Sequence, residues 1–190
     1  MIIEGLMVCL LAKFRKYRLR PLFQTWTFYP ILIMQLLLVI AQASIFFRQY
    51  LFLPFVPYLE PGVILSFLFS LFAFELYKPA MLGSASIAIG TVLNRLVIAQ
   101  NGGHMPVYPT LSYLTGFLTP QVLTSLDRLH IAGGAGTKLP YLADYIDFGY
   151  SILSPGDVLI HLFACIMFYA LIRAVNLRFG SQQDTIVQEG

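Results

Sequence analysis

The sequence predicts an all-α membrane protein: a polytopic helix bundle of about five transmembrane helices, with short interfacial helices in one long outer loop. Three observations lead to this fold class. Of the 190 residues, 58% are hydrophobic and only 11% are charged, whereas an average soluble domain has about 25% charged residues. The apolar residues gather into runs, and basic residues cluster beside one run. A lipid environment penalises charged residues and so excludes them from long apolar runs, whereas water does not.

The apolar runs predict five spans, at residues 2–12, 22–47, 62–77, 80–100 and 157–179. The first carries Glu4 and is shorter than the roughly 20 residues that a spanning helix needs. Pro30 is expected to kink the second span, and the three prolines of 51–62 predict a connection. The fourth run is rich in glycine, serine and alanine, which let helices approach closely, so we expect it to lie centrally.

The predicted organisation has four parts. Residues 1–100 hold the first four spans, and 101–156 form an extracytoplasmic Gly/Pro-rich cap with amphipathic helices. The last span takes 157–179, and 180–190 are a cytoplasmic polar tail, expected to be flexible. A segment as long as 101–156 without a clean span is typically either functional or disordered, and its apolar periodicity argues against disorder.

A basic cluster sets the predicted orientation. Lysine and arginine are enriched in cytoplasmic loops, which places the N-terminus outside and the C-terminus inside the plasma membrane. Such a cluster also suits anionic lipid headgroups. The partners predicted are therefore the bilayer, these lipids and a larger membrane complex, and no nucleic acid. The cluster consists of Lys13, Arg15, Lys16, Arg18 and Arg20.

The outer segment shows helical periodicity in two places. In "PTLSYLTGFLTPQVLTSLDRLH", apolar side chains recur every three or four residues, which predicts amphipathic helices broken at Pro120; they are Leu111, Leu114, Leu118, Val122, Leu126 and Leu129. In "KLPYLADYIDFGYSI", Asp144 and Asp147 are three residues apart and would share one helix face. Helices of this kind lie on the membrane surface or cap the bundle.

The stretch "NGGHMPV" follows the fourth span and has two interpretations. In the structural one, Gly102 and Gly103 cap the helix, Pro106 stops it, and the Asn101 side chain bonds the last carbonyls. In the functional one, the glycines let the backbone approach a ligand while His104 and Met105 line the site.

The last span offers a similar choice. Asp157 begins the helix and is a standard N-cap, but His161 lies four residues later on the same face, where a carboxylate could orient its ring. We expect His161 to hydrogen-bond to a neighbouring helix rather than to bind metal. Asn94 and Arg95 need polar partners inside the membrane, and one of the outer carboxylates would serve.

No motif in the sequence defines a metal or cofactor site. His104, His130 and His161 could join Asp144, Asp147 or Asp157 around a metal, but their spacing is weak evidence for it. The chain lacks H-E-x-x-H, G-x-S-x-G and both glycine-rich phosphate motifs. Hence we predict no metal site, and the cofactor is left unspecified. Cys9 and Cys165 fall in apolar runs and are expected to be small buried hydrophobes.

The motifs resemble those of a family of small bacterial integral membrane proteins known as domain of unknown function 5317. The resemblance covers about Gly90 to Asn176 and rests on "NGGHMPV", His130, "LADYID" and "SPGDVLIH". It implies an architecture of membrane helices and a polar outer segment. The family brings no established activity.

Three functions remain open. The first is a non-catalytic accessory or ligand-binding and lipid-binding subunit of a membrane complex, favoured by the small-residue fourth helix. The second is an outer-leaflet enzyme, a hydrolase or transferase on a lipid-linked substrate, using His104, His130, Asp147 and Asp157. The third is a small-molecule transporter, a class of protein that is typically built from an inverted repeat.

Overall fold

The computed structural model describes residues 2–47, 51–118 and 129–188. The chain divides into two compact units. The first unit combines Met1–Leu38, Pro57–Ser84 and His161–Gly190. The second unit combines Val39–Val56 and Ala85–Ile160.

Helices dominate the described residues, which confirms the predicted fold class. They are α1 (Ile2–Phe14), α2 (Phe28–Ala43), α3 (Val56–Ala73), α4 (Tyr77–Gln100), α5 (Leu111–Thr115) and α6 (Pro155–Gln188). Three stretches are long and apolar enough to cross a membrane: Val56–Ala73, Tyr77–Gln100 and Pro155–Phe179. Helix α2 is apolar but shorter, and α1 has 13 residues.

The second predicted span is shorter than expected, and the predicted kink is wrong. Residues Arg20–Gln24 form a 3-10 turn, and α2 begins only at Phe28. Pro30 therefore lies in the first turn of α2. Since a backbone N–H there has no partner within the helix, its absence costs no hydrogen bond and the helix has no reason to bend.

The predicted connection at 51–62 is also wrong in its second half. Helix α3 begins at Val56, directly after a 3-10 turn at Leu53–Phe55. Pro57 lies at the second helical position, where proline is tolerated, and Pro61 lies inside the helix. Lys78 and Pro79, which directly follow the third predicted span, belong to the first turn of α4.

In its described residues, the outer segment forms four short strands and one short helix, α5. Strand β1 (Met105–Val107) pairs in parallel with β2 (His130–Ala132), and β3 (Ile146–Asp147) pairs antiparallel with β4 (Ile152–Leu153). Of the first amphipathic pattern, only α5 is helical before residue 119. Pro120, Val122 and Leu126 lie outside the described residues.

The second amphipathic helix is not formed, so Asp144 and Asp147 do not share a helix face. Asp144 makes a bridge to Val107, and Asp147 lies in β3. The chain turns at Gly149, which has a φ of +81°. That left-handed conformation is open to glycine and ends regular structure there.

Helix α6 extends further than predicted at both ends. It begins at Pro155 and continues to Gln188, through most of the segment expected to be a flexible tail. No proline follows Pro155 in the sequence, and the single Gly180 only weakens a helix without ending it.

In the first unit, α6 supplies much of the core. Met167, Leu171, Ile172 and Val175 are fully buried, and Phe168 stacks on Phe28 with ring centroids 6.1 Å apart. The positions of the four buried residues follow helical spacing, so one stripe of α6 is covered by its neighbours within this unit.

In the second unit, a small core forms where α4 ends. Val97, Met105 and Ala143 are buried together, with Ile98 and Tyr108 packed against them. The end of the fourth helix and the outer strands thus share one apolar cluster. This cluster fixes the polar residues of the outer segment.

Candidate functional site

Asn101 clamps a distant backbone segment at the end of α4. Its side-chain Nδ2 donates to the carbonyls of Val97 and Lys138, both at 2.9 Å, and its Oδ1 accepts the Lys138 backbone N–H at 2.9 Å. These bonds use both amide protons and the amide oxygen. The bond to Val97 agrees with the structural interpretation, in which the Asn101 side chain bonds the last carbonyls of the helix, and the link to Lys138 is an additional one.

Gly102 and Gly103 provide the turn that ends α4. Their φ angles are +69° and +90°, and the Gly103 N–H donates to the Ile98 carbonyl at 2.9 Å. This is the bond of a helix C-cap that passes through left-handed residues. The geometry matches the structural interpretation of the "NGG" triplet.

Met105 and Pro106 are buried strand residues rather than the edge of a pocket. Both lie in β1, whose three residues are buried. The Met105 N–H donates to Leu129, while the Pro106 carbonyl accepts from Asp144 at 3.0 Å. A proline fits in β1 because its carbonyl is the group that this pairing uses. Helix α4 ends at Gln100, before the chain reaches Pro106, so the interpretation in which Pro106 stops the helix is wrong. Pro106 lies instead within strand β1.

His130 lies beside Asp144. Strand β2 places His130 opposite Met105, and His130 Nε2 lies 3.4 Å from Asp144 Oδ2. The Asp144 side chain is 5% exposed and that of His130 is 32% exposed. A half-buried imidazole thus faces a buried carboxylate. His104 lies between the α4 cap and β1, and its N–H donates to the Asn101 carbonyl at 3.3 Å.

Asp147 is saturated by hydrogen bonds around α5. Its Oδ2 accepts the N–H groups of Thr110 (2.7 Å) and Ser112 (2.8 Å). Its Oδ1 accepts the Ser112 hydroxyl (2.6 Å) and the Gly149 N–H (2.8 Å). Thr110, which precedes α5, makes no side-chain cap of its own, so Asp147 caps this helix from a distance.

These bonds also control the acidity of Asp147. Partial burial acts to raise the pKa of its carboxyl group, but the hydrogen bonds from Ser112, Thr110 and Gly149 outweigh burial and hold the pKa below its usual value. The carboxylate is therefore ionised and occupied by donors. A general base needs a lone pair that can reach its substrate, so this geometry favours a structural role.

Asp157 belongs to a capping box at the start of α6. Ser154 is the N-cap: its hydroxyl accepts the Asp157 N–H at 3.0 Å, and Asp157 Oδ2 accepts the Ser154 N–H at 2.9 Å. The N-cap prediction placed this role three residues too far along, at Asp157, because in this reciprocal box the acid takes the third helical position. Its negative charge still faces the favourable end of the helix dipole.

Asn94 completes this network from α4. Its Nδ2 donates to Asp157 Oδ1 at 2.8 Å, and its Oδ1 lies 2.8 Å from the Ser154 hydroxyl. That hydroxyl has one proton for two acceptors, Asn94 and Asp157 Oδ2. The expected pairing of Asn94 with a carboxylate is therefore present, whereas Arg95 is exposed.

Two glycines let α4 and α6 approach within the second unit. A Cβ at Gly156 would lie 2.0 Å from Asn94 Oδ1, and a Cβ at Gly90 would lie 2.3 Å from the Gly156 carbonyl oxygen. Backbone therefore contacts backbone at this point. The small side chains of α4 serve the close helix approach that the sequence predicted.

His161 has a partner in the first unit. Its Nδ1 lies 2.8 Å from Glu4 Oε1, and the two side chains are 11% and 22% exposed. The expected hydrogen bond to a neighbouring helix is present, with α1 as that neighbour. Asn176 also joins α6 to the chain after α1: its Oδ1 accepts the Arg18 N–H at 2.8 Å, and its Nδ2 donates to the Arg18 carbonyl at 2.9 Å.

Several of these partners were missed by sequence reasoning. Ser112, Ser154 and Asn176 carry no signal as single residues. For Ser154, the pattern S-x-x-D before an apolar run is the signature of a capping box and would have identified it. Glu4 was noted only as a charge in a short span.

The proposed catalytic group is not assembled by the described contacts. His130 pairs with Asp144, while Asp147 and Asp157 belong to separate networks. Within residues 2–47, 51–118 and 129–188, no three His, Cys, Asp or Glu side chains form a group suited to a metal ion.

The fold and these networks define a class: a small helical membrane protein whose outer polar residues mostly bind backbone. A model of the family of unknown function DUF5317 matches residues 20–169, so the chain belongs to that family. It is also 34% identical over 151 residues to a Thermotoga maritima protein described as uncharacterized, a match covering 74% of this chain and 82% of the relative. No solved structure matches.

Proposed function

We propose that the chain is a non-catalytic accessory subunit of a membrane complex, and that its outer segment docks a partner protein. The proposal places it in the plasma membrane of a bacterium, N-terminus outside and C-terminus inside, because that orientation puts the cluster at 13–20 on the cytoplasmic side. There the cluster would contact anionic lipids.

The observation that carries the proposal is the inverted polarity of α5. Ser112 is fully buried and bonded to Asp147, while Leu111 and Leu114 are 50% and 84% exposed. A helix normally buries its apolar side chains, whereas α5 is fixed by its polar side and presents its apolar side outward. Exposed apolar patches of this kind mark interaction sites.

The surface around α5 suits a protein partner. Aromatic residues of the outer segment are also exposed, which is typical of the centre of a protein interface. Asp144 is buried, and Asp147 is occupied by donors from Thr110, Ser112 and Gly149. These two described carboxylates therefore add little free charge to the surface. The exposed aromatics are Tyr113, Tyr141, Tyr145 and Phe148.

A photo-crosslinking residue in place of Leu114 tests the proposal in native membranes. We expect one discrete protein adduct at Leu114 and none at Lys138, an exposed polar position of the same unit. Mass spectrometry of the adduct would identify the partner. Adducts with lipid alone at Leu114 would overturn the subunit proposal, and would instead support an outer surface that lies on the membrane.

The second candidate is an outer-leaflet enzyme, and one observation favours it. His130 on the buried Asp144 is an oriented imidazole of the kind that serves as a general base. If the protein hydrolyses or transfers a lipid-linked substrate, the purified protein in vesicles of native lipid should turn over that substrate. His130→Gln should abolish this turnover. His104→Gln is the matched comparison, and equal loss in both variants would point away from His130 as the base.

A further inference from the structure

The first unit contains an apolar groove along α6. Its volume is about 570 Å³, and its walls come from three places: Val8 and Leu11 of α1, Leu76 before α4, and Leu162 and Ile166 of α6. Arg173 is the charged residue of its lining. The groove is open on one side, so a ligand can enter from the lipid phase.

Hydrogen bonds at both ends of α1 fix the groove. Glu4 pairs with His161, and the Arg18 backbone pairs with Asn176. Val8 and Leu11 lie between these two attachments, so the distance between α1 and α6 is set by polar contacts that the groove itself does not use. The cavity is therefore preformed, and a ligand does not have to separate the helices to bind.

The dimensions of the groove suit a hydrocarbon chain. From Leu162 to Leu177 its lining follows 16 residues of α6, or about 22 Å of helix. One leaflet of the hydrocarbon core is about 15 Å thick. The groove is therefore long enough to hold an acyl chain and to extend to the level of the lipid headgroups.

Arg173 gives the groove a charged end. The described residues place no carboxylate against it, and its side chain is exposed on α6. A guanidinium in an apolar environment is costly unless an anion satisfies it, and it matches phosphate oxygens in a bidentate geometry. Charge and shape together select a phosphate group attached to a long apolar chain.

We propose that this groove binds one anionic phospholipid, with an acyl chain along Val8, Leu11 and Ile166 and the phosphate on Arg173. The site lies in the first unit and is independent of the docking surface on α5. It also differs from general attraction of lipids to the basic cluster at 13–20, because it holds a single molecule through shape as well as charge.

Retention of lipid by the full-length protein tests this site. The protein is reconstituted in nanodiscs of equal phosphatidylglycerol and phosphatidylcholine, extracted gently and weighed by native mass spectrometry. We expect one phosphatidylglycerol per chain, at least tenfold less in Arg173→Gln, and an intermediate amount in Arg173→Lys, which keeps the charge without the bidentate geometry. Lys138→Gln removes one charge from the second unit and should match the unmodified protein.

A second measurement examines the apolar part of the groove. In a Cys9→Ser background, a bimane label on Cys165, which lines the groove, should be quenched more by brominated-chain phosphatidylglycerol than by the phosphatidylcholine equivalent. Ala170→Phe fills the groove, keeps Arg173, and should abolish the difference.

Three outcomes would overturn the site. One is equal retention of the two lipids, and another is an Arg173→Gln variant that retains phosphatidylglycerol like the Lys138→Gln control. The third is a protein chain that co-purifies in place of lipid and is lost in Ala170→Phe, which would make the groove a helix-docking surface. A failure of crosslinking at Leu114 would count against the proposed function alone, because lipid retention and bimane quenching in the first unit do not depend on it.

Discussion

The two units contain the same three kinds of contact but build them differently. Asn176 clamps the Arg18 backbone in the first unit, as Asn101 clamps the Lys138 backbone in the second. In each, the amide also donates to the carbonyl four residues earlier in its own helix. Because one oxygen faces an N–H and one nitrogen faces a C=O, only one amide orientation satisfies either clamp.

The glycine contacts and histidine pairs differ more. In the first unit a Cβ at Gly83 would meet a ring carbon of Phe163 at 2.7 Å, whereas at Gly90 in the second unit it would meet a backbone oxygen at 2.3 Å. The histidine pair of the first unit, His161 with Glu4, is at 2.8 Å, and that of the second unit, His130 with Asp144, is at 3.4 Å. The second unit therefore has the closer glycine contact, which is to backbone, and the longer histidine pair.

The largest expected effect separates the two glycines. Gly90→Ala should lower the free energy of unfolding by about 3 kcal/mol, because a backbone oxygen cannot rotate away, whereas Gly83→Ala should cost about 1 kcal/mol as the Phe163 ring shifts. Thermal unfolding in detergent measures the stability of both variants. Gly5→Ala in α1, with nothing within 4 Å of the added Cβ, is the control and should be neutral or slightly stabilising. Equal losses at Gly83 and Gly90 would remove this difference between the units.

Asp147 gives the second unit a dependence on acid. Asp147→Asn should cost about 2 kcal/mol, since the new amide presents a donor to groups that are themselves donors. The pKa of Asp147 is lowered by folding, so its stabilisation is present above the unfolded pKa of about 4 and is lost as pH falls through the lower folded value. Hydrogen exchange of α5, measured from pH 6 to 3, should show this loss of stability in the unmodified protein. The Asp147→Asn variant should show no such dependence on pH. The same loss in the variant would rule out Asp147 as its source.

The histidine pairs can be compared by double-mutant cycles. We expect a coupling energy of about 1 to 2 kcal/mol for Glu4→Gln with His161→Gln, and a smaller one for His130→Gln with Asp144→Asn, because the second pair is longer. Denaturant unfolding of the single and double variants provides the values. A larger coupling for the His130 pair would reverse this part of the comparison, and would favour a special role for His130.

The smallest effect distinguishes the two clamps. Asn→Asp retains the acceptor and removes both donors, so Asn101→Asp and Asn176→Asp should each lower stability by about 1 kcal/mol. Asn101 follows the C-terminus of α4, where negative charge is unfavourable, so its variant should cost about 0.5 kcal/mol more. Repeating the unfolding at high salt should narrow the gap, since salt screens this effect. A gap that salt leaves unchanged would argue against the dipole.

The sequence made the helical fold predictable, because apolar runs and charge placement are local features. It also indicated the cap at Gly102 and Gly103, since a chain that must take positive φ angles needs glycine. The Asn101 clamp was half predictable: its own helix carbonyl is four residues away, but Lys138 is 37 residues away. Asn176 performs the same task in the middle of a helix, where no turn marks it.

The outer strands and the starts of α2 and α3 could not be predicted from the sequence, because local residue patterns do not determine them. A three-residue strand such as β1 has no periodicity to detect, and its partner β2 begins 25 residues later, at His130. Apolar spacing around Asp144 and Asp147 fits a helix equally well, and only long-range pairing decides against it. The prolines of 51–62 predict a break in the helix, but Pro57 lies in a first turn, where proline is tolerated.

The attachments of α1 also affect how the protein is made. Glu4 meets a residue 157 positions later in the chain, and Arg18 meets one 158 positions later. At about 5 to 20 residues per second, a ribosome needs roughly 10 to 30 s to deliver these partners. During that interval a 13-residue helix has neither its hydrogen bonds nor the length to hold itself across a bilayer. Its final position therefore depends on α6, and truncation of the messenger before α6 should release the N-terminal segment to quality-control proteolysis.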